Sequence, residues 1–514
     1  MTSAAPSEPR SGASGQLGPI LAIGYAVFAA LMWWRNAPAY VADDSYFYLV
    51  TARRLATEGR QTFSGPFLTN GMHPIWLYLL TGYDCLVALA RPELLRSART
   101  PVPLAGAIYI GSAFLLVSAC RRAGWRPGIV ATPVIVYVGT LGVLYSEVHV
   151  LLCCAALLLW WLAGHPFDSV KSAILTGLCC GAVFLARLDS VFWCGSLLGL
   201  AWAGEGASRR RVLLAGAVMA GLALPYLLSN KIVFGGVAPI SGWMKSSFPV
   251  PNPSGFSHPN GISVLLSGYN VLFGWGPVLL GAATLAFVPA ARRSLTFKSL
   301  LAGCTLHLTY TTLFAAESSW FWYYALHIIL AGLSACFLTR SAPRVLAPAV
   351  ATLCCLGGLA YHLSGRSTEF DPRSVEAIQF LQDNASAGQT ALVSEAPGQT
   401  AFYTDANIVA NDFLTASRFV YQDLISTPNA LKSLLSLCQG AGYPISYVIW
   451  DGGGFFRVSQ DRRSLIWLDP KNGDRTQPIG TLALPAPVVS EPEFAVWRLR
   501  DVQGPARSGN QRPE

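Results

Sequence analysis

Apolar runs of spanning or near-spanning length recur through most of this chain and leave it few ways to fold. The first lies at 17–34. Others follow near 75–90, 102–119, 128–146, 149–163, 170–187, 190–204, 211–230, 268–290, 298–316, 320–339 and 345–364. A helix needs about 20 largely apolar residues to cross a hydrocarbon core of about 30 Å. Only 12% of the residues are charged, against about 25% in a soluble domain. Such a chain cannot solvate its own surface, so lipid covers most of it. The net charge of +9 does not imply nucleic acid, because the basic residues fall in short clusters between apolar runs. That is where the positive-inside rule places them.

Residues 1–16 are rich in Ser, Ala, Pro and Gly and read as a disordered cytoplasmic tail. Ala37-Pro38-Ala39 imitates a signal-peptidase site, but the first run is long for a signal core and many runs follow, which favours an uncleaved anchor. If the runs from 102 onward alternate, Arg121, Arg122, Arg126, Lys171, Arg209–Arg211, Arg292, Arg293, Arg340 and Arg344 share one side, the cytoplasmic one. Parity then forbids the run at 75–90 from crossing. It holds Asp84 and is followed by Arg91, Glu93, Arg96 and Arg99. An interfacial or re-entrant helix is expected there, leaving about 11 crossing helices.

Beyond 365 the composition turns polar. Short β-type runs at Thr390–Val393, 408–410, 446–450 and 494–499 alternate with Gly, Pro, Asn and Asp breaks. Residues 365–500 thus read as an extracytoplasmic α/β domain, and 501–514 as a disordered tail. Of the 12 Cys, only Cys438 lies in this polar part, so no disulfide can form within it. No Cys/His metal spacing, Walker A loop, G-x-S-x-G or dinucleotide fingerprint is present.

The most informative stretch follows the first run, within an outer loop at 35–74. It reads VADDSYFYLVTARRLATEGRQTFSGPFLTNGMHPIW from Val41 onward. Asp43 and Asp44 stand close enough to the lipid surface to act on a group presented there, though either can simply cap the next helix. Residues 45–56 have helical periodicity, with Arg53 and Arg54 on the polar side of a helix lying on the membrane. Thr69-Asn70-Gly71-Met72-His73-Pro74 is a turn leading into the interfacial run.

The pattern D-D-x-Y-x-Y-x-x-x-A-R-x-L-A followed by T-N-G-x-H-P-x-W resembles the first outer loop of the GT-C superfamily of membrane glycosyltransferases. These include the aminoarabinose, arabinofuranosyl and protein mannosyl transferases. Tyr145-Ser-Glu147, Phe184-Leu-Ala-Arg187-Leu-Asp189, Pro225-Tyr226 through Gly242-Trp243-Met-Lys245, and Trp322-Tyr-Tyr324 are similar to later features of that superfamily. The resemblance spans roughly residues 17–364. It implies an all-α polytopic membrane fold and transfer of a sugar from a polyprenyl-phosphate donor to a glycan, lipid or protein acceptor. It also implies a bacterial inner membrane with the active face outside.

That chemistry needs a base for the acceptor hydroxyl, for which Asp43 or Asp44 is suited and Asp44 favoured. It also needs fixed cations for the departing phosphate. Arg53, Arg54, His73, Arg187, Lys231 and Lys245 are candidates, although Lys231 reads equally as a snorkelling lysine. Asn70 belongs to the same turn, and Trp243 and Tyr324 can stack on sugar. Glu147 either marks the interface or binds an acceptor amine or a metal. Asp43, Asp44 and Glu147 together could hold Mg2+ or Mn2+ through oxygen ligands; the sequence does not require one. A transporter would want charges in mid-span and repeated halves, whereas the acidic residues here gather at outer ends. A non-catalytic subunit or another lipid-carrier transferase are the remaining alternatives. His165, His307, His327 and His362 read as structural, with nothing near them in sequence to suggest a ligand set.

Overall fold

The computed structural model describes residues 14–141, 143–164, 166–204, 207–250, 270–314, 321–343, 345–364, 372–453, 455–471 and 477–499. His165, Glu317, Trp320, Arg344, residues 251–265 of the outer loop at 231–265 and the two expected tails (apart from 14–16) lie outside them.

Apolar sequence becomes helix here because a backbone in lipid must satisfy its own hydrogen bonds. The helices are α1 (Ser14–Arg35), α2 (Asp43–Glu58), α3 (Pro74–Ala90), α4 (Val102–Arg122), α5 (Pro127–Thr140), α6 (Val148–Leu162), α7 (Val170–Ala186), α8 (Val191–Ala203), α9 (Arg209–Phe234), α10 (Ile240–Met244), α11 (Gly276–Phe287), α12 (Leu295–Phe314), α13 (Ala325–Leu338) and α14 (Leu346–Leu363). Among the described residues, 5 helices are long and apolar enough to cross a membrane, and shorter apolar helices pack between them. The chain is an integral, multi-pass membrane protein. Small residues let the helices approach closely: a Cβ on Gly18 of α1 would meet the Gly128 backbone of α5 at 2.8 Å.

Helix directions follow from contacts at their ends. Arg121 at the end of α4 donates to Gln16 near the start of α1 (2.8 Å), whereas Arg99 just before α4 donates to the Arg35 carbonyl at the end of α1 (3.2 Å). The two helices are therefore antiparallel. Arg126 reaches the carbonyls of Arg340 and Ala342, and Arg211 those of Phe167 and Asp168. These basic residues gather at one end of the bundle, the basic end.

α3 starts and finishes at the opposite end. Trp76 in its first turn donates to the Tyr145 carbonyl (2.5 Å), and Tyr83 donates to the Thr100 carbonyl just ahead of α4 (2.9 Å). Tyr78, Leu79, Leu86 and Leu89 are exposed along it, so α3 keeps an apolar flank free for lipid. α2 differs from expectation: Ser45–Ala52 are all buried, between α3 and the C-terminal domain. It lies under protein rather than on the membrane. α1 also starts earlier than the expected tail boundary, at Ser14.

The C-terminal domain caps this same end. Its helices are α15 (Pro372–Asn384), α16 (Pro397–Tyr403), α17 (Arg418–Ile425) and α18 (Ala430–Gly440). A five-stranded sheet has the order β2-β1-β3-β8-β7, formed by β1 (Thr390–Val393), β2 (Asn407–Ala410), β3 (Ile445–Trp450), β7 (Val489–Glu491) and β8 (Phe494–Arg498). β1 pairs in parallel with β2 and β3, and β8 closes antiparallel on β3. A second antiparallel sheet joins β4 (Phe456–Val458), β5 (Ser464–Leu468) and β6 (Pro478–Ala483). Strand side chains alternate between faces. Leu392, Val409 and Val448 enter the domain's own core, while Ala391, Val393, Ile408, Ala410, Tyr447 and Ile449 join a core continuous with α2 and the bundle. The cap thus shares its hydrophobic interior with the helix that carries the paired aspartates.

Candidate active site

A cavity of about 440 Å³ opens at the capped end. Five loops and helix ends supply its polar lining: Asp44 from α2, His73 before α3, Glu147 before α6, Arg187 and Asp189 after α7, and Lys245 after α10. His307 of α12 joins them, with Phe47, Met72, Val143, Leu188, Val191 and Phe192 as apolar wall.

The two aspartates diverge. Both stand in the first turn of α2, where carboxylates favour the helix dipole. Asp44 is exposed into the cavity. Asp43 instead accepts the backbone N–H groups of Gln399 (2.7 Å) and Gly398 (3.3 Å), so it caps α16 of the C-terminal domain rather than its own helix. Burial and the neighbouring Asp44 push the Asp43 carboxyl up, to about 8, against the pull of those two amides.

Glu147 and Arg187 form the buried centre of the site. Tyr145 sits in the left-handed region at φ 65°. Its carbonyl is held by Trp76 and its hydroxyl donates to the Ala98 carbonyl. This bend aims Glu147 at Arg187, 3.1 Å away. Arg187 also pairs with Asp189 (3.0 Å), donates to the Trp322 carbonyl (3.1 Å) and lies 4.2 Å from the Tyr323 ring centre. Tyr48 donates to Glu147 (3.2 Å), and His73 Nε2 lies 3.8 Å from it. Burial alone would raise the Glu147 carboxyl; Arg187 and His73 outweigh it and hold Glu147 below its usual range. Asp189 is depressed in the same way against burial, by Arg187 and His307. His307 Nε2 is 3.3 Å from it. His73 is lowered as well, but here burial is the main cause. Its Nδ1 accepts the Leu188 N–H (3.4 Å), which leaves Nε2–H directed at Glu147. One arginine therefore serves two carboxylates.

Lys245 is placed by a short relay. The Ile240 N–H donates to the Asn70 side chain (3.1 Å) and Ser241 to the Gly71 carbonyl (2.8 Å). From the cap, Lys471 donates to the carbonyls of Trp243 (2.6 Å) and Ser246 (2.5 Å) and lies over the Trp243 ring. Gly71 is required where it stands, since a Cβ would run into the Leu414 carbonyl oxygen of the cap.

Several expected site residues lie away from this cavity's lining. Asn70 is buried and orients α10. Trp243 packs among Tyr421, Arg418 and Lys471. Tyr324 is 1% exposed and donates to Asn270, while its neighbours Trp322 and Tyr323 line the cavity. Arg53 and Arg54 face a different cavity, because nine or ten residues of helix rotate them away from Asp44. Lys231 is exposed and not in the lining. After β1 and β2 the chain packs on the bundle: residues 397–402 of α16 are buried, and the Leu414 carbonyl lies against Gly71. His307 belongs to the lining rather than to the structural histidines; an ionisable side chain in an apolar run is the signal that marks it. Asp43, Asp44 and Glu147 do not converge on one ion: Asp43 faces α16 and Glu147 is held by Arg187 and Tyr48. Among the described residues, no group of three His, Cys, Asp or Glu is placed to hold a metal.

No family model matches the chain, and neither does any curated protein sequence. Solved structures do resemble it. ArnT from Cupriavidus metallidurans bound to undecaprenyl phosphate superposes with a TM-score of 0.54 at 13% identity, over 96% of this chain and 100% of that one. ArnT of the same organism in the apo state gives 0.53 at 13% identity, over 83% and 92%.

Proposed function

On the premise of a fold like that of the GT-C glycosyltransferases, we propose that the chain transfers a sugar from a polyprenyl-phosphate donor to a hydroxyl-bearing acceptor, in the cavity lined by Asp44 and Lys245. The observation that carries this reading is the division of charge in that cavity. Asp44 is an exposed carboxylate at its mouth, whereas Glu147 and Asp189 are engaged by Arg187. A base must be free to take a proton, and Asp44 is the carboxylate so placed.

In the proposed step the acceptor oxygen attacks the anomeric carbon and its proton passes to Asp44. The bond from that carbon to the phosphate oxygen breaks, and polyprenyl phosphate leaves with the electron pair. Lys245 supplies a donor for the leaving phosphate, while the Nε2–H of His73 is directed at Glu147 beside it. Arg187 acts through the field it shares with Glu147 and Asp189, since its charge is already matched. Trp322 and Tyr323 offer ring faces to the sugar. The undecaprenyl phosphate bound by ArnT from Cupriavidus metallidurans supports a polyprenyl-phosphate donor here. The positive-inside rule supports a cytoplasmic basic end, with the cavity and the cap outside, and the likeness to a bacterial ArnT supports a bacterial inner membrane.

The test uses purified protein in nanodiscs with a panel of radiolabelled polyprenyl-phosphate sugars and membrane extract as acceptor source. Label should move to an acceptor, and Asp44→Asn should lower the rate by about 10²–10⁴-fold, the usual worth of a general base. A fully active Asp44→Asn would remove Asp44 from the role. No transfer from any donor, with substrate uptake in proteoliposomes instead, would replace the transferase reading with a transporter.

A further inference from the structure

On the other side of α2 from Asp44 lies a second cavity, of about 640 Å³. Helical residues advance by about 100° each, so Arg53, nine positions after Asp44, points to the opposite face. The walls are the C-terminal half of α2, the 3-10 turn Pro92–Arg96, and α15, α16 and the following loop of the cap. Three guanidinium groups line it, Arg53, Arg54 and Arg96, against two carboxylates, Glu58 and Asp405. Arg96 pairs with Asp405 at the exposed rim (2.8 Å), and Arg54 donates to Asn407 (2.7 Å). Arg53 differs. Its guanidinium lies 5.3 Å from the Phe402 ring centre and has no hydrogen bond or ion pair among the described residues. Asp84, buried on α3, attracts it from beyond ion-pair distance.

The surroundings say which anion can arrive. α3 and the turn Pro92–Arg96 form the flank beside this cavity, and they expose Leu86 (68%), Leu89 (86%) and Leu94 (42%). Exposed leucines on a helix that does not cross are suited to the boundary between acyl chains and headgroups. A cavity opening beside them meets the layer where lipid phosphates are concentrated. Arg is the side chain best shaped for a phosphate, through its planar fork of donors. We propose that this second cavity binds the phosphate of a membrane-lipid headgroup, with Arg53 as its principal ligand and Arg54 and Arg96 at its edge. Occupancy would add a further tie between α2, the turn and the cap, beside Arg96–Asp405, Arg54–Asn407 and the Tyr46–Tyr403 hydrogen bond. The site is independent of the sugar-transfer reading.

The experiment reads binding rather than transfer. Full-length protein in neutral detergent is titrated with dioctanoyl phosphatidylglycerol, with dioctanoylglycerol, and with inorganic phosphate at matched ionic strength, and its thermal midpoint is followed. Phosphatidylglycerol should raise the midpoint saturably and dioctanoylglycerol should not. Arg53→Gln should weaken the apparent affinity by about tenfold, the worth of one charge-assisted pair. Arg96→Gln should weaken it less, and Lys245→Gln in the first cavity should leave it intact. Should Arg53→Gln not fold, Arg96→Gln at the exposed rim carries the comparison. Unchanged titrations in both arginine variants would overturn the site. Loss in Lys245→Gln instead would move the lipid to the first cavity. Equal potency of inorganic phosphate would overturn the lipid source in favour of a soluble anion.

Discussion

Arg187 is the residue on which the charge balance of the active site turns. Replacing it with Met would leave Glu147 and Asp189 buried without a cation, at a cost of about 3–5 kcal/mol near neutral pH. The pH response should also reverse. In the native protein both carboxyls are held below their ordinary values. Their contribution to stability is therefore complete above the usual carboxyl value of 4.5 and is lost as pH falls through the depressed range. In Arg187→Met, burial instead raises both groups, so stability should increase as pH falls from 7 toward 5. Thermal midpoints across that range check this; parallel profiles for the two proteins would refute it. Asp44, His73, Glu147 and Arg187 stand out in the sequence as ionisable groups near the ends of apolar runs, and Lys245 as a cation in a long outer loop. Their division of labour does not. That Arg187 is shared by two carboxylates depends on helix ends 40 residues apart in sequence, and a turn of one residue separates lining Tyr323 from buried Tyr324.

At the scale of elements, the turn Thr69-Asn70-Gly71 is a hinge pin between α10 and the cap. Asn70→Ala would orphan the buried Ile240 N–H, an expected loss of about 1–3 kcal/mol, and would let Lys245 drift. A lower thermal midpoint together with weaker donor binding is the expected pair of results; lower stability with unchanged donor binding would mean that α10 holds Lys245 without this contact. Asp43→Asn keeps an acceptor for the shorter of the two bonds, from the Gln399 N–H, and loses the one from Gly398, so it should loosen the cap less than Asp43→Ala. The periodicity of residues 45–56 points to a helix, and α2 covers them. What it cannot disclose is the identity of the surface covering that helix. A buried amphipathic helix and a membrane-lying one share a pattern, and only the alternating faces of β1, β2 and β3 decide for protein. The same 100° rotation that sends Arg53 away from Asp44 is present in the sequence as simple arithmetic.

For the molecule as a whole, cap and bundle behave as one folded body. Gly398 lies where a Cβ would collide with the Asp43 carbonyl oxygen, so Gly398→Val should lift the cap without touching the cavity lining. Hydrogen exchange should then rise across Ser45–Ala52, and transfer should fall while membrane insertion is retained. Protection of α2 equal to that of the native protein would show that the cap does not depend on this contact. The end-to-end order of the helices is readable from basic clusters and parity. The docking of the cap is not, because it rests on backbone approaches such as Gly71 to Leu414 that no pattern of residue types announces. Because α2 is walled in by a sheet encoded more than 300 residues later, the order of synthesis becomes the order of assembly. With the cap outside, as proposed, a nascent chain would insert its helices and expose Asp44 beside an unfinished pocket, and the site would close only after the cap had been carried across the membrane and folded. Activity would then itself report completed translocation.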